Sequence, residues 1–269
     1  MPYTNQAFSY VASRADQIKS VAAALGISEM AIAGAIAEEY DSFLKNPNLQ
    51  LALDAYADIR LSSHSDIVKG FNQTKDIADT NVSKLDKLMQ PTLIDAGPAN
   101  IRITTAVRLF EGYSQEYLQN GSDPLGLAGY QNDYRQMLKD LINPGSGLTE
   151  KMTGLMIQEA DRFFSQNADP QYWSNLTQEV RDAINITYFN NGPEAIKKMM
   201  NESLAEGKPY EPKPGGGVSG GETFLENQND ISFSLDCPEL QLIAQPLIYV
   251  ENQQCPVKDL HVMAVRSAC

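Results

Sequence analysis

Histidine is nearly missing from this sequence: His64 and His261 are the only two in 269 residues, and neither stands beside a companion that would complete a site. That scarcity argues against a Ser-His-Asp or Cys-His enzyme and against a His-rich metal centre. Cysteine is almost as sparse. Cys237, Cys255 and Cys269 all fall near the C-terminal end and fit no zinc spacing, so no metal and no cofactor are expected. A Cys237–Cys255 bridge in an oxidising compartment and three reduced thiols are both compatible with that pattern. Positive charge is also short. With 21 Lys and Arg against 34 Asp and Glu the formal charge is −13, which argues against nucleic acid as a partner and disfavours electrostatic adhesion to anionic membranes or cell walls. No apolar run approaches the roughly 18–20 residues of a membrane helix, so membrane insertion is not expected. The opening stretch, Met1 to Tyr10, has neither a basic nor an apolar signal-peptide region, and export by the general pathway is therefore not expected.

What is present, at 42% hydrophobic and 20% charged residues, is the composition of an ordinary globular chain. Helical periodicity dominates residues 1–207: a first helix over 4–25, a second over 28–43, shorter pieces to residue 90, then helices over 100–118, 126–143, 148–166, 176–190 and 193–205. Residues 208–222, rich in Gly and Pro, read as a linker. Residues 223–269 read as a small β-rich tail, with strand-like runs at 231–235, 240–250 and 260–265. The expected architecture is mainly α, a helical domain followed by a linker and a β-rich tail.

Chemistry concentrates in the second helix. Ile32, Ile36 and Phe43 lie on one apolar line, and Glu39 falls on the same line. A carboxylate in that position is partly desolvated, which raises its pKa and lets it keep a proton near neutrality. Glu38 points about 100° away, toward solvent. Two further segments follow in order. One is Gly97-Pro98-Ala99-Asn100 feeding Thr104-Thr105-Ala106. The other is Tyr188-Phe189-Asn190-Asn191-Gly192-Pro193.

This ordered trio resembles the lysozyme-like family of lytic transglycosylases and related muramidases. In that family an Ala-Ile-Ile-x-x-Glu-Ser helix carries the catalytic glutamate, a Gly-rich segment ending in Gln or Asn lines the cleft, and an Ala-Tyr-Asn-Ala-Gly-Pro turn closes it. The resemblance implies that Glu39 is the catalytic acid, with Ile36 three residues before it. It implies that Gly97, Pro98, Ala99 and Asn100 hold the sugar, and that Tyr188, Phe189, Asn190 and Gly192 close the cleft. Two positions depart from the pattern: Tyr40 replaces the family's serine and Phe189 its tyrosine, leaving Tyr188 or Tyr40 to supply a hydroxyl. Asp41 and Asp95 are the candidates for a second carboxylate.

The implied activity is cleavage of peptidoglycan glycan strands, as an antibacterial toxin or phage-type lysin delivered to the cell envelope without a classical signal peptide. A delivery or neutralising partner protein goes with that role. The alternative is a catalytically inactive helical module whose β-rich tail docks a partner by strand addition.

Overall fold

The computed structural model describes residues 3–77, 83–215 and 220–238. Among these the protein is mainly helical, with thirteen α-helices and one two-stranded antiparallel sheet. The strand-like runs expected at 240–250 and 260–265, and Cys255, His261 and Cys269, lie outside the described residues.

The single helix expected over 4–25 is two, α1 (Asn5–Ser13) and α2 (Ala15–Leu25). The break falls at Arg14, which leaves helical geometry and turns its Nε to 3.5 Å from the buried carboxylate of Glu150. Next comes α3 (Glu29–Lys45), started by Ser28, whose hydroxyl accepts from the Ala31 N–H. Its first half is buried on every side. Ala31, Ile32, Ala33, Ala35, Ile36 and Ala37 are all fully buried, as expected of a helix apolar around its whole circumference. The small residues let neighbours approach closely: a Cβ on Gly34 would lie 2.5 Å from both Ile186 and Phe224.

The chain continues as α4 (Pro47–Arg60), α5 (His64–Thr74) and α6 (Lys84–Met89). Strands β1 (Asp95–Ala96) and β2 (Ile101–Arg102) then form a hairpin with Asp95 opposite Arg102. The helix expected from residue 100 begins later, as α7 (Ile103–Glu116), because residues 101 and 102 pair with β1 instead. Four more helices follow: α8 (Tyr134–Ile142), α9 (Leu148–Asn167), α10 (Pro170–Asn175) and α11 (Gln178–Asn191). The last two are α12 (Pro193–Ala205) and α13 (Gly221–Asp236).

Helix α13 corrects the expected domain plan. Residues 231–235 alternate apolar and polar like a strand, yet they continue a helix whose buried residues Phe224, Asn227, Ile231 and Leu235 recur at helical spacing. This face packs on α1, α3 and α11 and completes the main core. Asn227 joins it to the start of the chain by accepting from the Tyr3 N–H at 3.2 Å.

The described part of the expected linker is docked as well. Tyr210 is buried, its carbonyl accepts from the Asp169 N–H, and Gly215 N–H donates to the Thr187 hydroxyl at 2.9 Å. A Cβ on Gly221 would lie 2.2 Å from the Ala183 carbonyl oxygen, so glycine there permits α13 to start against α11. Cys237, at the end of α13, is buried and disulfide-bonded. No helix among the described residues is long and apolar enough to cross a membrane.

Candidate active site

The sequence places Glu39 past the fully buried half of α3, where the helix emerges between the β-hairpin and the end of α11. Its side chain lines a cleft of about 390 Å³ whose walls also include Gln50, Asp95, Asn100, Phe189 and Asn190. Three segments far apart in sequence meet here: the second half of α3, the hairpin and the turn after α11.

The hairpin turn is built from residues suited to it. Gly97 has φ +70°, and a Cβ there would lie 2.1 Å from the Leu141 carbonyl oxygen, so both the backbone angle and the approach of α8 require glycine. Asn100 has φ +46° and is the one non-glycine residue with positive φ among the described residues. Asparagine tolerates this geometry better than most residues. The resulting twist aims its amide at α3, where Nδ2 donates to the Glu39 carbonyl at 3.2 Å and to Glu39 Oε2 at 3.1 Å.

Burial pushes the Glu39 carboxyl up to about 7. The Asn100 hydrogen bond opposes that rise, the charges of Asp95 and Glu38 add to it, and Lys45 opposes it weakly. The amide can only donate to Oε2, so a protonated Glu39 carries its proton on Oε1. A carboxylic acid that keeps its proton near neutral pH in an open cleft is equipped for general-acid catalysis. Glu38, expected to face solvent, is instead turned toward buried Tyr3, with one carboxylate oxygen buried and its charge adding to the rise in the Tyr3 phenol pKa. The adjacent glutamates are therefore separated by their helical faces.

Asp95 also lines the cleft, but it is engaged by Arg102, at 3.3 Å from Nε, and by Lys87. Asp41 is elsewhere, accepting from the Thr4 N–H at the start of α1 and pairing with Lys45. The rest of the lining is rich in neutral amides: Asn46, Gln50, Asn100, Asn190 and Asn191. Asn190 Oδ1 is buried and has no hydrogen-bond partner among the described residues.

Not every expected site residue reaches the cleft. Gly97, Pro98 and Ala99 are buried behind it, and only Asn100 of that segment is on its lining. Phe189, Asn190 and Gly192 line it as expected, whereas Tyr188 does not. One step of α11 turns Tyr188 about 100° away. Its hydroxyl donates to Glu159 Oε1 at 2.8 Å in a separate groove. Tyr40 stacks on Tyr10 with ring centroids 4.1 Å apart. Neither tyrosine hydroxyl serves Glu39.

The support under the hairpin is not among the residues expected from sequence. Gln50 and Asp54, one turn apart on α4, hold it from below. Gln50 Nε2 donates to the Asp95 carbonyl at 2.5 Å and to Asp54 Oδ1 at 3.2 Å, and the Gly97 N–H donates to the same Oδ1 at 3.3 Å. The available signal was a Gln-x-x-x-Asp pair on one helical face.

Burial pushes Asp54 up to about 6, against the hydrogen bonds from Gly97 and Gln50. Burial likewise pushes Asp182 up to about 6, against those from Ser28 and Gln178. Between the unfolded value of 3.8 and about 6, the folded state binds protons that the unfolded state has released, so stability falls as pH rises through that window. Glu39 extends the window to about 7. Each buried aspartate contributes on the order of 2–3 kcal/mol of this slope. Urea denaturation should therefore give a higher midpoint at pH 5 than at pH 7.5. A midpoint rising with pH across that interval would show that these groups are not held protonated.

Comparison of the chain with protein-family models, with curated proteins and with solved structures returned no match.

Proposed function

We propose that this protein cleaves the glycan strands of peptidoglycan, as a muramidase or lytic transglycosylase, with Glu39 as the catalytic acid. The observation that carries the proposal is the meeting of Glu39, Asn100 and the turn at 189–192 in one cleft, although the first and last are separated by about 150 residues of chain. A helical core does not by itself require these segments to converge.

In this reading Glu39 Oε1–H protonates the glycosidic oxygen, and the C1–O bond breaks with positive charge developing on the sugar ring. The Glu39 carboxylate then removes a proton from the attacking hydroxyl, either of water or of the sugar itself, and the acid is restored. Asp95 is held by two cations, Arg102 and Lys87, so the proton transfers are assigned to Glu39 alone. The amide-rich lining suits acetamido groups, which offer one donor and one acceptor each and need no cationic partner. The acidic surface then presents no obstacle to substrate binding. Delivery to the cell envelope and a neutralising partner protein belong to the same proposal.

The absence of a tyrosine hydroxyl on Glu39 supports the alternative, an inactive module that uses the cleft for binding alone. Clearing of a turbid suspension of purified peptidoglycan separates the two: steady clearing is expected for the enzyme and none for the module.

Asn190→Ala should slow cleavage about tenfold, the equivalent of one lost hydrogen bond to substrate. Its melting temperature should change little, because the substitution also removes a buried carbonyl oxygen that has no partner. Unchanged cleavage rates would remove Asn190 from the binding surface.

A further inference from the structure

We propose that a second pocket, at the N-terminal end of α3, binds a small zwitterion of amino-acid or dipeptide type, its carboxylate against Arg181 and its ammonium group against Asp161, Glu29 and Asn185. The pocket is distinct from the Glu39 cleft, encloses about 630 Å³ and is walled by residues from α2, α3, α9, α10 and α11.

Several polar groups on its walls have no partner among the described residues. Asn185 is only 3% exposed, yet its Oδ1 accepts from nothing among the described residues. Arg181 Nε is also buried without an acceptor, and its guanidinium makes no ion pair among the described residues. A buried polar group left without a partner loses its hydration and gains nothing in return. On the acidic side, Asp161 receives only the Asn185 amide, at 3.5 Å, and Glu29 pairs with no cation among the described residues. Lys19, the other cation on the lining, is drawn to Asp236 at 3.2 Å. Asp182 is already satisfied by Ser28 and Gln178, both at 2.7 Å, and ties the start of α3 to α11.

The unmet needs are thus one acceptor for Arg181, one donor for Asn185 Oδ1 and a cation for the free acids. A simple anion would answer Arg181 and face two carboxylates. A simple cation would leave Arg181 unmet, and a neutral molecule would leave the acids unmet. A zwitterion answers all three. Arg181 and Asn185 stand four residues apart on α11, which places their side chains about 6 Å apart, a span that an amino acid or a dipeptide covers.

Calorimetric titration of the full chain with glycylglycine, with the doubly blocked N-acetylglycylglycine amide as control, tests this. Saturable binding of glycylglycine and none of the blocked peptide is expected, with about tenfold weaker binding in Arg181→Gln. Because Arg181 is partly buried, Glu29→Gln at the start of α3 provides a second variant, expected to weaken binding by a similar factor. Glu39→Gln should bind glycylglycine as the parent does, so failure of the cleavage reading leaves this result untouched. The proposal is overturned if glycylglycine gives no saturable heat, if the blocked peptide binds equally, or if both pocket variants retain full affinity.

Discussion

Replacing Glu39 by glutamine should reduce peptidoglycan cleavage at least about a thousandfold while leaving the fold intact. The expected size follows from what is removed. Positioned proton transfer alone contributes roughly a hundredfold to ten-thousandfold, and the glutamine amide has no acidic proton to give. The shape survives because Asn100 Nδ2 can donate to the glutamine carbonyl as it does to Oε2. Stability at pH 8 should be equal or higher, since a buried carboxylate with a raised pKa is no longer forced to ionise there. In the parent, activity should decline as pH rises past about 7, where the acid loses its proton. Glu38→Gln is the control: it faces Tyr3 instead of the cleft and should keep most activity. Loss of cleavage in Glu38→Gln with retention in Glu39→Gln would reverse the assignment.

Ending the chain after residue 207 should abolish cooperative folding. The expectation from sequence alone is the opposite, a body that survives without its tail. Helix α13 reverses it, because Phe224, Ile231 and Leu235 are all buried in the main core. Each such side chain contributes about 1.5–3 kcal/mol when buried. Their joint loss, together with the faces of α3 and α11 they cover, approaches the whole stability of a typical domain, roughly 5–15 kcal/mol. Circular dichroism of the 1–207 fragment should show no sharp thermal transition. A fragment that melts cooperatively near the parent temperature would show that α13 is dispensable.

The long helices were legible because their apolar residues recur over several turns, and Glu39 was legible because it interrupts such a line. The hairpin was not. Its strands are two residues each, too short for a period to show, and its turn depends on Gly97 meeting the α8 backbone. Helix α13 was missed because a five-residue window, Ile231 to Leu235, alternates like a strand while the helical line through Phe224 includes the polar Asn227. Asn227 is buried for a reason that only tertiary structure supplies, its bond to the Tyr3 N–H. Tyr188 was assigned to the wrong side because a turn motif lists neighbours in order, whereas a helix rotates each by about 100°. Phe189 itself lines the cleft, while the Tyr188 hydroxyl is committed to Glu159.

Glycan cleavage at the proposed Glu39 site is tested by mass analysis of the soluble fragments released from purified peptidoglycan. The parent protein should release disaccharide-based fragments between pH 5 and 7, and Glu39→Gln at equal concentration should release none. No fragments from the folded parent, or the same fragments from both proteins, would rule out Glu39 as the acid of a glycan-cleaving enzyme.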